Sequence, residues 1–176
     1  MDAAILPVKS PSRAKTRLSG RFADSVRREI AWALFDDALA LCESVEFVEW
    51  WVVSDDPEVG RIAAERGLRT LRDEGAGLNA ALDAGIAEAR GAGAESVTII
   101  PADVPLAYRG DLVDLLDTGA TSDLVVVPSR SDGGTNALYV SPPDLISPQF
   151  GPGSLRAHVD AAERRGLRCS ILALPR

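Results

Sequence analysis

Apolar residues recur along the chain in two alternating rhythms, short unbroken runs and longer stretches spaced at three or four. AAILPV (3–8) is a short apolar run before a turn and predicts a buried strand. RFADSVRREIAWALFDDALALCE (21–43) predicts a helix whose inward face carries Phe22, Val26, Ile30, Leu34 and Leu41. EFVEWWVVS (46–54) is rich in β-branched and aromatic residues and predicts a strand. Asp56-Pro57 reads as an N-cap followed by proline at the first helical position, opening a helix over 57–66 that Gly67 ends. LRTL (68–71) is a weak strand, 78–93 a helix stopped by glycines, 96–101 a buried strand and 109–119 a helix. Strands over 123–129 and 136–141, a helix over 154–166 with Ser154 as its N-cap, and a last strand over 167–174 complete the pattern. Such alternation predicts an α/β sandwich around a mostly parallel sheet, in which ligands bind beyond the carboxyl ends of the strands.

Composition narrows the class. The chain has 176 residues, 46% hydrophobic and 26% charged, the profile of one globular domain spanning 1–176. A net charge of -7 argues against nucleic acid and anionic membranes as partners. The stretch Ala3 to Val8 is too short for a signal peptide core, and no run approaches the roughly 18 apolar residues of a membrane span. Cys42 and Cys169 are isolated in apolar surroundings and suit neither a disulfide framework nor a metal cluster. The expected location is the cytoplasm, with reduced thiols.

Charge distribution changes the picture. Lys9, Arg13, Lys15, Arg17 and Arg21 fall close together after the first strand, and no acid lies between Asp2 and Asp24. Lys9 and Lys15 are the only lysines in the chain. Ammonium and guanidinium groups suit phosphate oxygens, so this loop reads as a phosphate grip, against the plainer alternative of a solubilising surface loop. It is not a Walker loop, since the G-x-x-x-x-G-K pattern is absent.

Four further segments carry candidate chemistry. In DEGAGLNAALDAG (73–85), Gly75 and Gly77 allow close approach of a flat ligand and Asn79 can read a base or ribose, or the segment is a glycine turn entering a helix. In IIPADVPL (99–106), Asp103 sits at a strand end where a carboxylate can hold Mg²⁺ against phosphates, or simply caps a turn. SRSDGGTNAL (129–138) offers Gly133, Gly134 and the Thr135 hydroxyl to an anion, or forms a hairpin turn. QFGPGSLRAH (149–158) leads Gly151, Gly153 and Ser154 into a helix N-terminus, a ready anion site or an ordinary N-cap. His158, within that helix, reads as facing its neighbours, with no acid or nucleophile placed beside it in the sequence. Two glycine-rich anion sites beside a cationic loop and a metal carboxylate suggest two phosphorylated substrates meeting at Mg²⁺.

LPVKSPSRAKTRL, DEGAGLNAAL, PADVPL, GGTNAL and FGPGSLRAH together resemble the 2-phospho-L-lactate / phosphoenolpyruvate guanylyltransferases of deazaflavin-coenzyme biosynthesis. The resemblance covers nearly the whole chain and implies a single-domain GT-A-like (Rossmann-like) nucleotidyltransferase fold, GTP and Mg²⁺, a small phospho-carboxylate acceptor and release of pyrophosphate. By the same resemblance Lys15 and Arg17 bind the triphosphate, and Pro7, Val8, Lys9, Gly77 and Asn79 hold the guanosine nucleotide. Asp103 is the metal ligand, and Thr135, Gly151, Gly153 and Ser154 hold the phospho-acid. It also implies an Asp-containing segment after the last strand, whereas this sequence stops at LALPR. Either the sequence is cut short or a second metal ligand is missing, and a site with Asp103 alone is expected to hold metal weakly and to turn over more slowly than a version extended by that segment. Competing readings are another nucleotidyltransferase of the same fold, of molybdopterin or sugar-phosphate type, and a non-catalytic GTP-binding module.

If Lys15 and Arg17 serve the nucleotide, alanine at either position should leave the melting temperature within a few degrees, since exposed substitutions change stability by about 0.5 kcal/mol or less. GTP affinity should fall sharply. Calorimetric titration with GTP beside thermal melts checks this, and wild-type affinity in both variants would give the basic loop another purpose.

Overall fold

The computed structural model describes residues 1–13, 20–104, 108–130 and 132–174. The elements run β1 (Asp2–Pro7), α1 (Asp24–Ser44), β2 (Glu49–Ser54), α2 (Pro57–Glu65), β3 (Arg69–Arg72), α3 (Leu78–Gly91) and β4 (Ser96–Ile99). They continue α4 (Arg109–Gly119), β5 (Leu124–Pro128), β6 (Thr135–Val140), α5 (Ser154–Arg165) and β7 (Cys169–Ile171). The strands form one seven-stranded sheet in the order β3-β2-β1-β4-β6-β5-β7. Every pairing is parallel except those of β6, which runs against both β4 and β5. The α/β class and the mostly parallel sheet expected from the alternating pattern are thus observed.

Unbroken apolar runs make sense once both faces of the sheet are covered. In β1, Ala4 and Leu6 face one layer with Phe35 and Leu39 of α1, Val59 of α2 and Leu112 and Leu115 of α4. Ala3 and Ile5 face the other, with Leu82 and Ile86 of α3 and Ala161 and Ala162 of α5. Asp56 caps α2 as the sequence suggests: its side chain accepts a hydrogen bond from the Glu58 N–H at 2.9 Å, and Pro57 takes the first helical position. No helix among the described residues is long and apolar enough to cross a membrane.

Several expectations need correction. Helix α1 begins at Asp24, not Arg21, and buries Ala31, Phe35, Leu39, Leu41 and Cys42. Phe22 and Val26 are exposed, and Ile30 and Leu34 only half-buried. The helix is apolar on more than one side, and counting from Phe22, which precedes it, selected a stripe of which Leu41 alone is buried. Trp32 and Phe35 meet in a tilted arrangement with ring centroids 5.9 Å apart, and it is Phe35 that is fully buried against the sheet, Trp32 remaining half-buried. Strand β2 starts at Glu49 rather than residue 46, leaving Phe47 exposed, and β7 covers only Cys169–Ile171 of the run 167–174.

Ser154 is not the N-cap of α5. That position belongs to Gly153, whose φ of 71° lies in the left-handed region that glycine tolerates. Ser154 is the first helical residue, and its hydroxyl turns inward.

The corrected face of α1 makes a measurable contrast. Phe35→Ala should destabilise by about 3–5 kcal/mol through lost burial and a cavity, whereas Phe22→Ser should stay within about 0.5 kcal/mol. Urea denaturation of both variants distinguishes the two stripes.

Candidate functional site

The carboxyl ends of the parallel strands share one end of the sheet. Because β6 is reversed, its first residue, Thr135, lies at that same end, in register with Pro128 of β5. Backbone hydrogen bonds continue the ladder past the strands and hold the outgoing loops together. The Val8 N–H donates to the Val53 carbonyl at 2.9 Å, the Asp73 N–H to the Ser54 carbonyl at 2.9 Å, and the Ala102 N–H to the Pro7 carbonyl at 3.3 Å. The starts of the basic loop, the glycine loop and the Asp103 turn therefore converge with Thr135.

Pro7 and Val8 are buried and Lys9 is exposed. Lys15 and Arg17 lie outside the described residues. The start of the basic loop is tied to the β2–α2 turn: the Ser10 hydroxyl donates to Asp56 Oδ2 at 2.6 Å, and Arg13 pairs with Asp55. Burial works against the charge on Asp56, but the Ser10 hydroxyl and the N–H groups of Glu58 and Val59 outweigh it. With help from Arg13, they hold its carboxyl below the usual range.

Asp103 is exposed in the turn after β4, at the strand end where the sequence puts it. Among the described residues, no group of three or more His, Cys, Asp or Glu side chains is arranged to hold a metal ion. An exposed carboxylate fits Mg²⁺ of the kind that takes one or two protein oxygens and completes its shell with phosphates and water.

Gly77 is the N-cap of α3 with φ 101°. Asn79 follows in the first turn, and its side chain is engaged: the Phe150 N–H donates to Oδ1 at 2.8 Å and Nδ2 donates to the Phe150 carbonyl at 3.1 Å. The residue expected to read the nucleoside thus also fastens the glycine loop to the 149–153 segment. One N–H and one lone pair of its amide remain.

Strands β5 and β6 pair antiparallel as a hairpin, as one of the two readings of 129–138 anticipated. The Gly134 N–H donates to Asp132 Oδ1 at 3.0 Å, and Gly134 has its carbonyl bonded to the Ser129 N–H at 2.9 Å. At the start of α5, Gly151 and Gly153 are exposed, while the Ser154 N–H donates to the Gly151 carbonyl at 3.1 Å and the Leu155 N–H to the Gly133 carbonyl at 3.2 Å. Those backbone donors are used within the protein, so side chains gain weight in any anion site here.

The buried side chains at this junction are Thr135, Ser154 and His158. Ser154 Oγ donates to Thr135 Oγ1 at 3.1 Å, His158 Nδ1 lies 3.1 Å from the same oxygen, and the Gln149 N–H donates to His158 Nε2 at 2.9 Å. His158 does face its neighbours: it hydrogen-bonds with Thr135 and the Gln149 N–H and packs edge-on against Phe150, ring centroids 5.4 Å apart. The signal was present in the sequence: Ser154 and His158 are four residues apart and share a helix face.

The sequence profile of the family described as guanylyl transferase CofC like matches residues 2–173. A phosphoenolpyruvate guanylyltransferase of Sphaerobacter thermophilus is 38% identical, over 93% of this chain and 80% of its own. A 3-phospho-D-glycerate guanylyltransferase of Phenylobacterium zucineum is 36% identical over 98% and 81%. A 2-phospho-L-lactate guanylyltransferase of Methanothermobacter thermautotrophicus is 36% identical over 96% and 74%. Among solved structures, a nucleotide-diphospho-sugar transferase of Desulfovibrio desulfuricans superposes with a TM-score of 0.77 at 16% identity, covering 98% of this chain and 79% of that one. A CMP:2-keto-3-deoxy-manno-octonic acid synthetase gives 0.61 at 11%, covering 98% and 89%. The fold is the GT-A-like nucleotidyltransferase fold.

Burial pushes the His158 imidazole down from 6.5 to about 4. Between those values the unfolded chain binds a proton that the native state does not. Stability from this group is therefore whole above about pH 6.5 and falls as pH drops towards about 4, by on the order of 3 kcal/mol. Urea midpoints of wild type and His158→Gln across that window should diverge, with the acid-side slope smaller in the variant.

Proposed function

The chain belongs to the guanylyl transferase CofC-like family, and from that membership we propose that it transfers GMP from GTP to a small phospho-carboxylic acid with release of pyrophosphate. Phosphoenolpyruvate is the acceptor we favour, 2-phospho-L-lactate and 3-phosphoglycerate being the alternatives, and the reaction serves deazaflavin-coenzyme biosynthesis in the cytoplasm. The observation that carries this reading is the convergence of the basic loop's start, Asp103, the Gly77–Asn79 turn and the Thr135–Ser154 junction at one end of the sheet.

An oxygen of the acceptor's phosphate attacks the α-phosphorus of GTP in line. A new P–O bond forms as the bond to the bridging oxygen of the β-phosphate breaks, and pyrophosphate departs with that electron pair. Such a step needs no protein nucleophile, and positioning and charge neutralisation supply the rate. In this reading Lys15 and Arg17 neutralise the triphosphate and steady the leaving pyrophosphate. Pro7, Val8, Lys9 and Gly77 border the guanosine, with the remaining amide valences of Asn79. Thr135, Gly151 and Gly153 hold the phospho-acid, and Ser154 contributes through Thr135, to whose hydroxyl oxygen it donates. Asp103 would hold Mg²⁺, which when bound offsets the charge of the phosphates.

Purified protein with GTP and each of the three phospho-acids should release pyrophosphate and form the guanylylated acid, fastest with phosphoenolpyruvate. Silence with all three defeats the proposal. Asp103→Asn keeps the shape and loses the charge, so turnover should fall by on the order of 10²–10⁴. Near-normal turnover at saturating Mg²⁺ removes Asp103 from the metal.

A further inference from the structure

Thr135, Ser154 and His158 form a chain of hydrogen bonds whose directions can be worked out atom by atom. The Gln149 backbone N–H approaches His158 Nε2 at 2.9 Å, and an N–H can only donate, so Nε2 presents its lone pair. A neutral imidazole carries one proton, which therefore sits on Nδ1. Nδ1 lies 3.1 Å from Thr135 Oγ1 and donates to it. Ser154 Oγ donates to the same oxygen, also at 3.1 Å. A hydroxyl oxygen has two lone pairs, and both are now taken. What Thr135 has left is its own proton, for which the described residues supply no acceptor. Thr135 begins β6 at the end of the sheet where the loops converge.

We propose that His158 is a positioning residue: its Nδ1–H, together with Ser154, turns the Thr135 hydroxyl into a pure donor aimed at an anionic oxygen of the phospho-acid. The inference rests on the proposed function for the identity of that acid. An isolated threonine hydroxyl could rotate and offer either a proton or a lone pair. With both lone pairs engaged it favours oxygens that only accept, as those of phosphate and carboxylate do. The Gln149 N–H fixes the tautomer through the backbone of the connection that carries Phe150, so the donor is set before any ligand arrives.

His158 is the only histidine in the chain, so one imidazole pair appears in the nitrogen spectrum of protein labelled at histidine. At neutral pH that spectrum should show protonated Nδ1 and bare Nε2, and saturating phosphoenolpyruvate should shift the Nδ1–H resonance. Protonated Nε2, or a resonance unmoved while the same sample turns over, overturns the role. Steady-state kinetics give the second arm. His158→Leu removes the donor and should raise KM for phosphoenolpyruvate about tenfold while KM for GTP stays within about twofold, as expected for one hydrogen bond. His158→Asn returns an N–H near the Nδ1 position and should recover most of the loss. Wild-type KM in His158→Leu, or equal shifts for both substrates, overturns the role. If wild type forms guanylylated product from none of the three phospho-acids, the wider reading falls and this role with it. If wild type is active but carries the Nε2–H tautomer, only the role of His158 falls. The spectrum needs no variant, so a His158→Leu protein that does not fold leaves it decisive.

Discussion

Strand β6, antiparallel to both β4 and β5, is the one reversed strand between two sets of parallel strands that run in the same sense. Val97, Thr98 and Ile99 pair antiparallel with Val140, Tyr139 and Leu138. On one side lie β3, β2 and β1, and on the other β5 and β7. Reversal of this one strand brings its amino end level with the carboxyl ends of its neighbours. A parallel strand at that place would present its carboxyl end there, and Thr135 would lie at the far side of the sheet. The meeting of Thr135 with Asp103 and the first loop is thus a consequence of strand direction, before any side chain is considered.

The second constraint is electrostatic. A chain with net charge -7 carries its lysines in one segment, and the acids nearest in space to the start of that segment are employed as anchors. Asp55 pairs with Arg13, and Asp56 receives the Ser10 hydroxyl while also capping α2. One turn after β2 thereby fixes a helix and the beginning of the basic loop together. The charge on Asp56 is stabilised by donors on both sides of it, despite partial burial.

Strand and helix alternation was legible because both faces of the sheet are covered, which leaves unbroken apolar runs such as Ala3 to Leu6 and Trp50 to Val53. Asp56-Pro57 was legible because cap chemistry is local. The stripe of α1 was not, because Phe35 and Leu39 compete with Val26, Ile30 and Leu34 on a helix apolar on two sides, and only the packed sheet chooses. Ser154 looked like a cap because serine before a helical run usually is one. Its true partner, Thr135, is remote in sequence. The bonds of Asn79 to Phe150 were equally out of reach, since sequence spacing says nothing of which loops meet. What the sequence did carry was the set of segments that gather at one end of the sheet.

The connection over 141–153 is the longest irregular stretch among the described residues, yet it is secured at several points. Ser141 donates through Oγ to the Glu95 carbonyl, and Ile146 is buried. The Gln149 N–H is held by His158, and Phe150 is held by Asn79 through both its N–H and its carbonyl. Each fixed backbone residue loses conformational entropy worth about 1–2 kcal/mol. Here that loss falls on the folding equilibrium and not on the encounter with a ligand. A segment free to wander would weaken each association by the work of ordering it. This one is already ordered, at the expense of a narrower margin of stability for the fold as a whole.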